Sequence, residues 1–392
     1  MGLKMTRSWQ KFYVALFVGV LVLLFLWSMR GVFSYRTPNQ YSVLDGSLAK
    51  TFESHYDKQF PVKDIGTNVW AALDYVVFGV GRPGVVIGEQ EWLYSDEEFK
   101  PVADGQQHLR DNLALIRGVR DYLAQRDVQL VLAIVPAKSR LYPEYIGDNR
   151  ISPLRQDLYQ RFHQEVRRLD IPAPDLLAPL LAAKAEGPLF LRTDTHWTPR
   201  GADLVARQLS ETLKRSLTLN GEPQTFVTEA TEQKPYEGDL TRFLPLAPLF
   251  AGLMPAPDQL QHYKTELPES GGGVDALLGD SEIPVTLVGT SYSANPNWNF
   301  AGALREHLQR DLSNHAEDGQ GPMVPMLRYL QSDELNDAPA QVVIWEFPER
   351  YLPMANDFSD FDADWLADLK SSTRKQQLGS VAVSSRPRRS LF

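Results

Sequence analysis

The residues best suited to chemistry lie in two short stretches of the sequence, at 192–199 and 289–293. The first reads Arg-Thr-Asp-Thr-His-Trp-Thr-Pro and places Asp194 two residues before His196. In an extended loop this spacing points both side chains to one face, where a carboxylate can orient an imidazole. A histidine oriented in this way is the base of a hydroxyl nucleophile in triad chemistry. Taken alone, the same stretch is also typical of a polar helix entry with an idle histidine.

The second stretch offers the hydroxyl. Gly289 directly follows the apolar run 284–288, and the sequence continues Thr-Ser-Tyr-Ser. Glycine permits a sharp turn that would place the next hydroxyls at the carboxyl edge of a sheet, where open α/β folds bind ligands. Turn geometry alone does not choose between Ser291 and Ser293 as the nucleophile. Candidate oxyanion donors are backbone amides after the turn and the side chains of Asn295 and Asn297.

Alternating helical and strand patterns must position these residues. Thr198 and Pro199 form a helix-start signal, which predicts a helix over 199–214. Residues 128–135 (VQLVLAIV) are the continuous apolar run expected of a strand buried on both faces of a parallel sheet. The alternation predicts an α/β fold with a parallel sheet flanked by helices. The other predicted elements are a hairpin near 85–94, helices near 107–125, 153–169 and 300–312, a short strand near 170, and strands at 283–288 and 341–345.

Two regions interrupt this rhythm. Residues 215–280 are rich in Pro and Gly and include Gly271-Gly272-Gly273, so we expect an insertion or a long surface loop there. After Asp368 the sequence becomes polar and basic, which predicts a disordered tail over 371–392.

The N-terminus carries a membrane-directed segment. Residues 12–29 are uncharged and mostly apolar, and the basic residues Lys4, Arg7 and Lys11 precede them within the segment 1–11. The run is longer than a typical signal-peptide core and is followed by no small-residue cleavage pattern. These features favour an uncleaved signal anchor over a cleaved signal peptide, with the basic N-terminus in the cytoplasm, and both alternatives place residues 30–370 outside the cytoplasm.

Composition excludes several classes of function. The net charge is -9, and the basic residues near both termini leave the body between them still more acidic, so binding of nucleic acid is not expected. The chain has no cysteine, which excludes thiol catalysis and cysteine-ligated metal. No phosphate loop or dinucleotide-binding turn is found, so no cofactor is predicted. The histidines other than His196 lack metal-like spacing.

Asp-Thr-His-Trp-Thr and Val-Gly-Thr-Ser-Tyr-Ser, together with the basic-flanked anchor, resemble the AlgJ/AlgX group of SGNH-like polysaccharide O-acetyltransferases. The resemblance extends over nearly the whole chain, including 53–61, 82–98 and 345–351. It implies an SGNH-hydrolase-like domain at 30–370, with Ser291 as nucleophile, His196 as base and Asp194 as orienting acid, and Ser293 is the fallback nucleophile. Thr290 departs from the Asp of the wider SGNH family. The acid–base pair also precedes the serine, which is a permuted motif order.

The resemblance further implies O-acetylation of an exopolysaccharide, for which the resemblance names alginate, through an acetyl-serine on the periplasmic side of the bacterial inner membrane. The implied partners are an AlgI-like membrane-bound O-acyltransferase, AlgF-like and AlgX-like proteins, and the polysaccharide acceptor. An acetylesterase and a non-catalytic membrane-anchored assembly protein are the alternatives. Lys138 and Arg140 could contact an anionic sugar or form a solvated loop end. Glu346 and Arg350 could line the site, whereas Trp345 is expected in the core.

Overall fold

The computed structural model describes residues 7–36, 44–60, 63–268 and 283–371. They form two compact units. The first comprises described residues up to Arg82 together with Arg242–Met254, and the second comprises Pro83–Thr241 and the described residues from Pro255 onward. The N-terminal residues 1–6, the glycine run at 271–273 and the predicted tail beyond Ser371 lie outside the described residues.

The first unit is helical. It contains α1 (Arg7–Ser34), α2 (Ser47–Gln59) and α3 (Lys63–Leu73), and α3 continues into one π-helical turn at Asp74–Phe78. Among the described residues, only Lys11–Ser34 within α1 is long and apolar enough to span a bilayer, with a mean hydropathy of 2.5. This helix contains the predicted anchor segment, and its length and composition are compatible with an anchor.

The second unit alternates strands and helices, with a last helix over 363–371. The strands are β1 (Val85–Ile87), β2 (Leu93–Ser95), β3 (Gln129–Val135), β4 (Val227–Tyr236), β5 (Asp258–Glu266), β6 (Val285–Val288), β7 (Leu312–Asn314) and β8 (Val342–Pro348). The helices are α4 (Gly105–Ala124), α5 (Lys138–Leu141), α6 (Pro153–Gln156), α7 (Leu158–Arg168), α8 (Leu177–Ala183), α9 (Pro199–Ser216), α10 (Ser291–Ala294), α11 (Phe300–Leu308), α12 (Met323–Leu330) and α13 (Asp333–Asp337).

A four-stranded parallel sheet of order β3-β8-β6-β7 forms the centre of this unit. Alternate residues of β3 enter two different hydrophobic clusters. Val131 and Ala133 belong to one cluster, whereas Leu130 and Leu132 belong to the other. Both faces of the sheet are therefore covered, which explains why β3 is apolar without alternation. The predicted parallel α/β architecture is confirmed, as is the hairpin β1–β2.

Three sequence predictions of local structure are wrong. The segment near 170 forms no strand, although Pro172 accepts a hydrogen bond from Leu132 N at 2.9 Å. Pro172 and Pro174 lack the N–H donors that a ladder requires. Helix α11 ends at Leu308 because Gln309 takes a left-handed conformation (φ 55°), and Leu312 instead starts the edge strand β7.

The third wrong prediction concerns 215–280, which is not only loop. Strands β4 and β5 pair there as an antiparallel hairpin. Most β4 residues are exposed, so the strand lacks the alternating apolar pattern by which strands are detected in a sequence. This hairpin proves important for the site.

Candidate active site

The site lies at the carboxyl edge of the central sheet. Because β3, β6 and β8 are parallel, the segments that follow them emerge at this same edge. Lys138 follows β3, Ser291 follows β6, and Arg350 follows β8. The loop with Asp194 and His196 precedes α9, whose start is fixed by a hydrogen bond from Gly201 N to the Thr198 hydroxyl at 3.2 Å.

Asp194, His196 and Ser291 are joined by an unbroken hydrogen-bond chain. The Asp194 Oδ1 atom lies 2.6 Å from Nδ1 of His196, and Nε2 of the same ring lies 2.7 Å from the Ser291 Oγ atom. Asp194 is fully buried, His196 is nearly so, and Ser291 is half-buried. Two stretches 95 residues apart therefore meet in the geometry by which a carboxylate orients a base towards a hydroxyl.

The Asp194 carboxylate accepts four hydrogen bonds. Oδ1 accepts from Nδ1 and from the backbone N–H of His196 (2.8 Å), and Oδ2 accepts from the Tyr236 hydroxyl (3.0 Å) and from Asp239 N (2.8 Å). Burial by itself would raise the pKa of Asp194, but the hydrogen bonds and the charge of His196 outweigh burial, so this pKa lies well below its ordinary value. Asp194 is thus held ionised as the partner of the imidazole.

The loop reaches this geometry by bending and not by extension. Residues 192–196 form consecutive bends, and Asp194 folds its carboxylate back onto the N–H of His196 two residues later. The two side chains therefore meet without the extended backbone for which the two-residue spacing was considered. A short Asp side chain that accepts from the backbone two residues on is a common turn former.

A second carboxylate, that of Asp239, supports the same loop. Its Oδ1 accepts from Thr195 N at 2.8 Å and its Oδ2 from the Thr195 hydroxyl at 2.7 Å. Oδ2 also lies 3.9 Å from His196 Nδ1. Burial and the negative charge of Asp194 raise the pKa of Asp239. Sequence reasoning missed this residue, because it lies in the region interpreted as a loop, 45 residues after Asp194.

The hairpin β4–β5 supplies further contacts to the loop. Asp258 at the start of β5 accepts from Arg192 N, Thr193 N and the Thr193 hydroxyl at 2.6–3.1 Å. Gly238 follows β4, and a Cβ added there would lie 2.2 Å from the Thr193 carbonyl. The glycine in the run Tyr236-Glu237-Gly238-Asp239 was therefore the one sign of this contact in the sequence, because glycine is favoured where two backbone segments approach closely.

Glu346 lies behind the turn that carries Ser291. This fully buried residue of β8 accepts from Thr290 N (2.9 Å), from the Thr290 hydroxyl and from the Ser293 hydroxyl (2.8 Å). Burial raises the pKa of Glu346 to about 7, against the lowering effect of these hydrogen bonds. Ser293, the alternative nucleophile, thus faces Glu346, whereas Ser291 faces His196.

Aromatic side chains enclose the imidazole. The His196 ring stacks on Trp298 with a centroid distance of 5.1 Å and contacts the Tyr292 ring at 4.6 Å. Arg350 donates to the Tyr292 hydroxyl at 3.1 Å, and this hydroxyl in turn donates to the Thr195 carbonyl. Arg350 therefore acts on the loop through Tyr292. Trp345 is buried in the core, as expected.

Lys138 and Arg140 do not project into solvent towards a sugar, which corrects the sequence interpretation. Lys138 is 1% exposed, and its Nζ donates to the carbonyls of Leu93, Arg192 and Asp194 at 2.6–2.9 Å. Burial lowers the pKa of Lys138 to about 8, against the raising effect of nearby carboxylates. Arg140 pairs with Glu349 through Nε at 3.0 Å. Both cations fix the backbone around the site.

Within the part of the chain that the structure describes, one set of side chains has metal-ligand spacing. The ligand atoms of Asp194, His196 and Asp239 lie within 4.8 Å of one another. However, both carboxylates are engaged by hydrogen bonds from backbone and hydroxyl groups, and His196 Nδ1 bonds to Asp194. This donor set therefore fits hydrogen-bonded acid–base chemistry better than metal coordination.

The parallel sheet and the acid–base–hydroxyl chain at its edge define an SGNH hydrolase-like protein. A family model described as SGNH hydrolase-like domain, acetyltransferase AlgX, matches residues 85–349. The chain therefore belongs to this family of acetyltransferases, and the resemblance noted in its motifs is confirmed.

Similar proteins agree with this assignment. "Probable alginate O-acetylase AlgJ" of Pseudomonas syringae pv. tomato is 56% identical over 385 residues, which cover 98% of each chain. The protein of the same name from Pseudomonas aeruginosa is 52% identical, covering 94% of this chain and 95% of that one. The solved O-acetyltransferase domain of Pseudomonas putida AlgJ is 57% identical with a TM-score of 0.69, covering 74% of this chain and all of the domain. Pseudomonas aeruginosa AlgX, at 24% identity and a TM-score of 0.54, shares the fold.

Proposed function

We propose that this chain is an alginate O-acetyltransferase in which Ser291 is the nucleophile, His196 the general base and Asp194 the orienting acid. The observation that carries the assignment of roles is the hydrogen-bond chain from Asp194 through His196 to the Ser291 Oγ atom. The names of the similar proteins support alginate as the polymer and acetyl as the transferred group.

The reaction proceeds in two steps through an acetyl-enzyme. Ser291 Oγ attacks the carbonyl carbon of the acetyl donor while its proton passes to Nε2 of His196. The tetrahedral intermediate expels the donor's leaving group, which takes that proton. In the second step a hydroxyl of the uronate polymer attacks the acetyl-serine, His196 accepts its proton, and the proton returns to Ser291 as the new ester leaves. Asp194 stabilises the imidazolium in both steps. The backbone amides after the Gly289 turn and the side chains of Asn295 and Asn297 stay the candidate oxyanion donors.

The proposal is tested by isolating the acetyl-enzyme. Purified full-length chain incubated with p-nitrophenyl acetate should release nitrophenol and gain one acetyl group at Ser291, located by peptide mass mapping. Ser291→Ala should lower the rate by about three orders of magnitude or more. The matched control is Ser293→Ala, which keeps the nucleophile and should retain activity within about tenfold. Acetylation of Ser293, or an active Ser291→Ala variant, would overturn the assignment.

Transfer and hydrolysis are then separated by adding mannuronate oligomers. An acetyltransferase yields acetylated oligomers, whereas an acetylesterase releases acetate at the same rate with or without them. A non-catalytic assembly protein forms no acetyl-enzyme at all.

We further propose that α1 anchors the chain in the bacterial inner membrane with the second unit in the periplasm. The length and hydropathy of Lys11–Ser34 and the basic residues before it support this topology. The acetyl group would then have to cross the membrane, because acetyl-CoA is cytoplasmic. A single helix such as α1 cannot carry out that step, so we assign it to an AlgI-like membrane partner. Alkaline phosphatase fused after Phe392 should be active in cells, and an inactive fusion would reverse the topology.

A further inference from the structure

Helix α3 turns its apolar face away from its own unit. Ile65, Val69 and Leu73, with Val76 in the π-helical turn that follows, are 42–64% exposed and recur at spacings of four, four and three residues. We call these four residues the apolar stripe. The side of α3 that is buried contains only the small Ala72 and the polar Asn68, whose amide donates to the Pro245 carbonyl at 2.7 Å. In a water-soluble domain, a surface helix instead buries its apolar residues and exposes its polar ones.

Larger side chains widen this exposed apolar surface. Trp70, Val77 and Phe78 of the same helix and its π-helical turn are also 60–65% exposed. Large apolar residues gathered in this way on one helix face mark an interaction surface and not a chance exposure.

Helix α2 leads the chain back towards the candidate membrane span. Its residues meet α1 in reverse order, which makes the two helices antiparallel. Phe52 contacts Tyr35 with ring centroids 5.2 Å apart, and His55 Nε2 lies 2.9 Å from the Ser34 hydroxyl. Further along α2, Gln59 approaches Gly31 so closely that a Cβ added to this glycine would lie 3.1 Å from the Gln59 Cβ.

This packing places the start of α3 near the end of the candidate membrane span. Gly31 lies in the last turn of the span Lys11–Ser34, and Gln59 is the last residue of α2. Lys63, the first residue of α3, is only four residues after Gln59. Four residues reach at most about 14 Å, so α3 must begin within this distance of the end of α2, which packs on the last turn of the candidate span.

From this geometry we propose that α3 and its π-helical turn lie in the surface of the leaflet from which α1 emerges, with the apolar stripe among the acyl chains. The inference rests on the proposed anchoring role of α1. A lipid surface is the occupant because the apolar stripe begins beside the end of a membrane helix. Trp70 and Phe78 are also side-chain types that favour the lipid interface. The second contact would restrict how the anchor tilts and turns.

The absence of cysteine from the sequence makes the test direct, because a single introduced cysteine can be labelled uniquely. Full-length chain with Val69→Cys or Val76→Cys is labelled with a nitroxide and reconstituted into lipid vesicles without other proteins. The depth of each label is measured from its collisions with oxygen and with a water-soluble nickel complex. Asp64→Cys, an exposed position of α3 away from the apolar stripe, is the matched control, and Leu23→Cys in α1 reports the anchor.

Labels at positions 69 and 76 should lie about 5–10 Å below the headgroup level, and the label at 64 should remain in water. If the label at 23 is within the bilayer but those at 69 and 76 are as accessible to nickel as that at 64, the inference is wrong and the anchor stands. Protection of 69 and 76 that arises only after a membrane protein is added would likewise overturn it and indicate a protein-binding surface. If the label at 23 is itself in water, anchor and inference fail together.

Discussion

Replacing Glu346 by Gln should stabilise the protein above neutral pH. Burial raises the pKa of Glu346 from 4.5 to about 7. Ionising this carboxyl group therefore costs about 3 kcal/mol more in the folded protein than in the unfolded chain. Between pH 4.5 and 7 the unfolded chain has lost this proton whereas the folded chain keeps it, so stability falls as the pH rises. Above pH 7 the loss is complete. A glutamine carries no charge to bury and therefore removes this component of the pH dependence.

The glutamine can also keep the local hydrogen bonds. Its amide oxygen can take the place of Oε2 and accept from Thr290 N and from the Ser293 hydroxyl, which both contact that atom, and the Thr290 hydroxyl can rotate to accept from its NH₂ group. We therefore expect Glu346→Gln to equal the wild type near pH 5 and to exceed it at pH 8 by up to about 3 kcal/mol. Because the turn that carries Ser291 is preserved, esterase activity should stay within about tenfold.

The measurement is urea denaturation of the full chain in detergent at pH 5 and pH 8, followed by tryptophan fluorescence. The exposed Glu222→Gln is the control and should shift neither midpoint. If Glu346→Gln destabilises the protein equally at both pH values, then Glu346 is ionised at both, and the surrounding hydrogen-bond donors and Arg350 stabilise its charge. That result would refute the reasoning.

Two further predictions concern the β4–β5 side of the site. Asp239→Asn leaves Thr195 with one weaker acceptor and removes a negative charge near His196, so the turnover number in the ester assay should fall by about one to two orders of magnitude with little change in KM. An unchanged rate would show that Asp194 alone orients the His196 ring. Gly238→Ala should lower the free energy of unfolding by about 1–3 kcal/mol, because the added Cβ would overlap the Thr193 carbonyl. A variant as stable as the wild type in denaturation would contradict the close approach.

The elements with strong sequence patterns were predicted well. Helix α9 begins at Pro199 after its Thr198 cap, and β3 coincides with the apolar run. Both were predictable because a helix cap and a strand buried on both faces depend on residues that are adjacent in the sequence. The hairpin β4–β5 was missed for the opposite reason. It is held by pairing between strands whose exposed residues carry no periodic pattern, and such pairing depends on residues about 30 positions apart.

The site also contains residues that a local motif identifies and residues that only long-range contacts bring into place. Asp194, His196 and Ser291 are recognisable because each stands in a short motif beside a strand or helix end. Asp239, Lys138 and Glu346 act through contacts 44 to 56 residues away in sequence, and their types alone suggest solvated charges. Nevertheless, two of them, together with Tyr236, hold Asp194 in place. Tyr236 and Asp239 donate to its carboxylate, and Lys138 holds its carbonyl. A buried carboxylate without such donors would take up a proton and could no longer stabilise an imidazolium. The missed hairpin therefore adds hydrogen bonds to the carboxylate of the recognised motif, beside those from His196.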